Sequence, residues 1–235
     1  MESFKQVPIS ILTPTYNRSR FLPLYIDNLI KLNYPHELIE VVIDDDGKDI
    51  FIKDLELFKK TVFPMKVKYI HKSLKRSIGE KRNFLVKQAT SKIVCFMDDD
   101  DIYNPEYVNY SFQVLKKNKS GIVGSNQMIF CYPEKDFKMT YIICEKKHQI
   151  HEATMMFTKS YWKSMGGFER SSRGEGARMI QKQDRNVSVT DIRMCMICVA
   201  HKFNTVDKNM FDKEDNTLKE KYNGDKTEIL KSILL

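Results

Sequence analysis

The chain has 235 residues, 42% hydrophobic and 11% aromatic, with only 9 glycines and 7 prolines, a composition that excludes disordered and fibrous classes and fits one globular domain with a substantial core. Its 39 basic and 31 acidic side chains leave a formal charge of +8, carried by Lys-Lys pairs and scattered arginines with no dense basic run. That argues against a nucleic-acid arm and reads first as a solvated basic face, the other reading being an anionic ligand or an acidic membrane surface.

The N-terminus "MESFKQVPISILTPTYN" has no basic segment leading into an apolar core, and no window is long enough to span a bilayer, so a soluble, cytoplasmic protein is expected. "VPISILTPT" reads as a buried strand, and residues 19–33 place Phe21, Leu22, Tyr25, Ile26, Leu29 and Leu32 at helical spacing. "LIEVVIDDDG" predicts a second strand ending in acid. "KDIFIKDLELFKK" predicts a helix with Ile50, Leu55 and Phe58 on its apolar side, and "VKYIHK" a third strand. Ser77 with Glu80 forms a capping-box signature opening a helix through Ala89. "KIVCFM" is then a fourth strand, apolar throughout as one covered on both faces should be.

This alternation of strand and helix implies a largely parallel sheet with right-handed crossovers, whose ligands bind at the carboxyl ends of the strands. Thr13, Tyr16 and Asn17 follow the first strand, Asp44, Asp45 and Asp46 end the second, and residues 98–101 end the fourth. Three polar clusters therefore meet at one sheet edge.

Beyond residue 106 the pattern changes. A helix over 106–117 precedes two strands, "GIVGSNQMIFCY" and "FKMTYIIC", which implies a mixed continuation. "KSYWKSMGGF" is a short helix stopped by Gly166 and Gly167. "ERSSRGEGAR" is a polar, glycine-containing loop suited to cover a site. "MCMICVA" is a last strand, and residues from 207 onward are polar and expected to be helical. The terminal "EILKSILL" reads as an amphipathic helix that packs on its own domain or touches a membrane peripherally.

The cysteines, Cys95, Cys131, Cys144, Cys195 and Cys198, are odd in number and sit mostly in apolar runs, as reduced core thiols do. Cys195, Cys198 and His201 resemble half a zinc site, but no second pair matches.

Asp98, Asp99, Asp100 and Asp101 are consecutive, and four like charges side by side repel unless something offsets them. In an extended segment, alternation would send Asp98 and Asp100 to one side and Asp99 and Asp101 to the other. A pair of carboxylates on one side suits Mn²⁺ or Mg²⁺, which takes one or two protein carboxylates and completes its shell with water and phosphate. Lys, Arg and His partners without metal are the other way to offset the charge.

Together "ILTPTYNR", "VVIDDDGKD", "GEKRNFLVKQATSKIVCFMDDDD", "GGFER" and "HKFNT" resemble, in order, the nucleotide-sugar glycosyltransferases of family 2 type with a GT-A fold. The resemblance implies a Rossmann-like GT-A domain over 1–205, with a nucleotide-sugar half (1–105), a mixed acceptor-side half (106–205) and a helical tail (206–235). It places the nucleoside near Thr13, Pro14, Tyr16 and Asp45 or Asp46, and the diphosphate near Arg82. Asp98 and Asp99 would lie by the sugar or ribose, and Asp100 with His201 would hold the metal.

The implied reaction is inverting transfer from a UDP-sugar to a hydroxyl of a glycan, a lipid-linked molecule or a protein. Relatives carry an acidic pair after "GGF"; only Glu175, in "GEG", stands there, so Glu175 is the expected base, with Asp184, Glu169 and Asp191 behind it. Trp162 and Met155 or Met156 would form an acceptor-side wall. A nucleotidyltransferase is the nearest alternative, but "ILTPTYNRSR" lacks the glycine-rich phosphate loop it would need. A non-catalytic nucleotide-sugar binder is the other.

Overall fold

Residues on the first, second and fourth strands alternate between two separate cores, as period-two side chains must when helices cover both faces of a sheet. The computed structural model describes residues 4–145, 149–180 and 186–235. In chain order its elements are β1 (Ile9–Thr15), α1 (Leu22–Ile30), β2 (Ile39–Asp45), α2 (Leu55–Thr61), β3 (Lys66–His71), α3 (Ile78–Gln88), β4 (Ile93–Phe96), β5 (Ile102–Tyr103), α4 (Tyr107–Lys117) and β6 (Ile122–Gly124). There follow β7 (Gln127–Tyr132), β8 (Lys138–Ile143), β9 (Met156–Thr158), α5 (Lys159–Met165), α6 (Ala177–Ile180), β10 (Val187–Val189), β11 (Met196–Val199) and α7 (Thr227–Leu234).

A seven-stranded sheet runs in the order β10-β6-β9-β4-β1-β2-β3. The pairs β4-β1, β1-β2 and β2-β3 are parallel, and β9 is antiparallel to both of its neighbours. Ile9, Ile11, Val41, Ile43, Ile93 and Cys95 join α1, α2 and α4 in one core. Leu12, Val42, Val94 and Phe96 join α3 and α5 in the other. A second sheet, β5-β11-β7-β8, carries the mixed continuation.

Three expectations need correction. The helix expected from residue 48 begins only at Leu55, with Asp54 capping it by accepting from Leu57 N at 2.9 Å. Before it, the amides of Lys48, Asp49 and Phe51 are held by Asn17 and Asp45, so they are unavailable to a helix. "GIVGSNQMIFCY" is two strands in two sheets, because at Ser125 and Asn126 the backbone pairs with Thr154, His151 and Cys144.

The tail is mostly irregular up to α7: Leu218 and Tyr222 donate to Met139 and Phe137, tying it along β8. In α7, Leu230 is buried against Phe21 and Leu24, so its apolar side packs on its own domain. Among the described residues no helix is long and apolar enough to cross a membrane.

Candidate active site

The ends of β1, β2 and β4 open onto a cavity of about 440 Å³, closed on the far side by residues 151–153, 172–175 and 203–208. The Ser77–Glu80 capping box is present at the start of α3, and it aims the next two side chains of that helix into the cavity. Lys81 donates to Asp46 Oδ1 at 2.5 Å. Arg82, 4% exposed, donates Nε to Glu175 Oε1 at 3.0 Å, stands 3.6 Å from Asp98 and lies 4.1 Å over the Phe96 ring. Its Nη1 has no hydrogen-bond partner.

Of the residues expected at the nucleoside, Pro14, Tyr16 and Asp46 line the cavity. Lys75 covers the Tyr16 ring, with Nζ 4.4 Å from its centroid. Thr13 is fully buried and bonds Met97 O and Tyr25 OH at 2.7 Å. Asp45 is also fully buried, and its oxygens accept from Gly47 N, Phe51 N and Tyr69 OH. Both hold the strand ends in place, and Asp46 is the acid that faces the cavity.

The four aspartates do not alternate as an extended segment would. Asp99 and Asp100 form a turn, which brings these neighbours to one shared partner while Asp98 and Asp101 face others. Asp98 faces Arg82, and burial raises its pKa. Asp99 and Asp100 share Arg18, whose Nη1 lies 3.0 Å from Asp99 Oδ1 and 2.7 Å from Asp100 Oδ2. Asp101 Oδ1 accepts from Val199 N at 2.9 Å, fastening the turn to β11. Burial pushes Asp99 up to about 7. Burial also opposes the charge on Asp100, but Arg18 and His201 outweigh it and hold that carboxyl below its ordinary range.

His201 Nε2 lies 3.1 Å from Asp100 Oδ2, and Asn204 Nδ2 donates to the same oxygen at 3.3 Å. A carboxylate oxygen and an imidazole nitrogen at that separation suit neighbouring ligands of one octahedral ion, for which bonds of about 2.1 Å give about 3 Å. Asp98 Oδ1, 3.6 Å from Arg82 Nη2, and Asp99 Oδ2 are buried without hydrogen-bond partners among the described residues. No group of three or more His, Cys, Asp and Glu could hold a metal among the described residues, so water and phosphate oxygens would have to complete the shell. As the missing second pair implied, Cys195, Cys198 and His201 form no zinc site: Cys195 Sγ donates to Thr190 while His201 serves Asp100.

Asp184 lies outside the described residues, and Glu169 and Asp191 do not line the cavity. Met155 and Met156 are fully buried in the core. Trp162 donates to Asn83 Oδ1 and lines a separate groove behind α3, so none of the three lines the cavity, whose far wall is formed by residues 151–153 and 172–175. Sequence reasoning assigned no role to Arg18, Glu152 or Asn204; "TYNR" and "HKFNT" at least put Arg18 and Asn204 in motif segments, whereas nothing local marks Glu152.

His151, beside Glu152, is held down to about 4, first by burial and then by Lys208. Between pH 6.5 and 4 the unfolded chain therefore binds a proton that the folded chain does not, and stability falls as pH falls through that window, by on the order of 2 kcal/mol. Thermal melts from pH 7 to 5 should show this slope, and His151→Gln should flatten it.

The profile of glycosyl transferase family 2 matches residues 10–187. The chain belongs to that family. One relative in it is the Staphylococcus aureus poly(ribitol-phosphate) β-N-acetylglucosaminyltransferase TarS, 27% identical over 115 residues, 48% of this chain and 20% of TarS. A TarS fragment solved with UDP-GlcNAc superposes with TM-score 0.66 at 20% identity, covering 84% of this chain and 60% of that one. The mannosyltransferase PcManGT of Pyrobaculum calidifontis, solved with GDP-Man and Mn²⁺, gives TM-score 0.65 at 18% identity over 88% and 59% of the two chains. The Escherichia coli UDP-Glc:α-D-GlcNAc-diphosphoundecaprenol β-1,3-glucosyltransferase WfgD is 23% identical over 121 residues, 52% of this chain and 46% of WfgD. The structural likenesses establish the GT-A fold expected from the sequence. The chain spans about half or less of the length of these curated relatives.

Proposed function

We propose that this family 2 member transfers a sugar from a nucleotide-sugar, a UDP-sugar by preference, to an acceptor hydroxyl with inversion. The observation that carries the reading is the meeting of Asp46, Arg82, Asp98 and Asp100 in one cavity from the ends of β2 and β4 and the first turns of α3. Tyr16 and Asp46 offer a ring face and a carboxylate to a base, suited to stacking and to accepting an imide N–H. Arg82, with one nitrogen unpartnered, is placed to hold the departing diphosphate. Asp100 and His201 would hold Mn²⁺ or Mg²⁺, which when bound supplies positive charge to the diphosphate. An acid on the wall formed by residues 151–153 and 172–175 takes the acceptor's proton.

The names of TarS and WfgD give UDP-GlcNAc or UDP-Glc as donors and polymer or lipid-linked acceptors, which favours a glycan or lipid-linked acceptor here. UDP at about 100 times its dissociation constant in the presence of Mn²⁺ should stabilise the protein by about 2.7 kcal/mol, a rise in Tm of roughly 5–10 °C. Release of UDP from UDP-GlcNAc or UDP-Glc, or of GDP from GDP-Man, should accompany it. No shift and no release with any of them would end this reading; a shift without release would leave a binder.

A further inference from the structure

We propose that the acceptor's proton is taken by Glu152 rather than Glu175. The inference rests on the transferase reading above and assigns the base within it.

The carboxylates lining the cavity are Asp46, Asp98, Asp100, Asp101, Glu152 and Glu175. Asp46 is tied to Lys81, Asp98 and Glu175 to Arg82, and Asp100 to Arg18. Asp101 is spent on Val199 N. Glu175 is only 5% exposed, and its Oε1 already accepts from the buried Arg82 guanidinium at 3.0 Å, so it is committed to that pair. Glu152 alone of the six makes neither an ion pair nor a bond to the turn below; Oε1 accepts from Gly176 N at 3.1 Å and Oε2 has no partner among the described residues.

Its position answers the acid missing from "GEG". A Cβ built on Gly176 would lie 2.7 Å from Glu152 Cγ and 2.8 Å from Glu152 Oε1. Gly176 is not in the left-handed region that Gly174 occupies at φ 62°, so its conformation does not demand glycine. What crowds a side chain there is chiefly the Glu152 side chain, with Met155 Cε at 3.0 Å beside it, so Glu152 fills most of the space that an acid at 176 would use. Glu152 is also firmly mounted: it opens the turn Glu152–Thr154, and Thr154 Oγ1 donates to His151 O and accepts from Ser125 N, both at 2.8 Å.

In the step assigned to it, the acceptor oxygen bonds to the sugar's anomeric carbon while the bond from that carbon to the phosphate oxygen breaks. The hydroxyl proton passes to Glu152, the bonding pair leaves on the diphosphate, and Glu152 returns the proton to water.

The test measures nucleoside diphosphate release with Mn²⁺, UDP from UDP-GlcNAc and UDP-Glc and GDP from GDP-Man, alongside thermal shifts with UDP and Mn²⁺. Glu152→Gln, which keeps the bond to Gly176 N, should retain the wild-type thermal shift and lose release at least about 100-fold. Glu152→Ala should lose as much, and adding Gly176→Asp should restore at least about tenfold, since the new carboxylate enters the vacated space. Release by Glu152→Gln within about threefold of wild type overturns the assignment, as does a folded Glu152→Ala/Gly176→Asp chain no faster than Glu152→Ala. A wild type that neither shifts nor releases nucleotide brings down the transferase reading itself, and the base with it.

Discussion

Arg82→Met is expected to lower Tm by roughly 6–15 °C and to suppress transfer at least about 100-fold. The guanidinium is the buried counter-charge for both Glu175 and Asp98. Removing it leaves two carboxylates uncompensated where water cannot replace it, a loss of about 3–5 kcal/mol. Methionine keeps apolar packing near the Phe96 ring, so the change isolates charge from volume. Adding Glu175→Gln should return a large part of the stability, because one orphaned charge disappears. It should return none of the transfer, because the diphosphate contact is still missing. Thermal melts and UDP release on the single and double variants check both halves; a double variant no more stable than Arg82→Met would reduce Arg82 to a packing role.

What the sequence made legible was periodic or local. Alternating apolar runs located β1, β2 and β4, the capping box located the start of α3, and the strand-end rule gathered Asp46, Asp98 and Asp100 at one edge before any coordinates. What it hid depends on contacts distant in sequence. Arg18 neutralises Asp99 and Asp100 across about eighty positions, and Glu152 meets Gly176 only because the turn at 152–154 and the loop after Phe168 pack together. Asp44, Asp45 and Asp46 look alike in the sequence, yet one pairs with Arg76, one is consumed by backbone amides and a tyrosine, and one faces the cavity. Residue type announces that a carboxylate is present; only the neighbours' free donors decide whether it is structural or available.

The same distinction governs the largest effect expected in the donor site. Asp100→Ala should abolish the joint stabilisation by Mn²⁺ and UDP and lower transfer by on the order of 1,000-fold. Arg18, His201 and Asn204 all converge on Asp100 Oδ2, so truncation removes the one oxygen that organises them. Arg18 keeps Asp99 as a partner, and the ligand-free protein should lose only about 1–3 kcal/mol. Asp101→Asn is the control for register: its amide oxygen can still accept from Val199 N, so the joint stabilisation should survive. If Asp101→Asn loses that stabilisation and Asp100→Ala keeps it, the cation belongs one residue later and His201 is a hydrogen-bonding partner of Asp100 and no more.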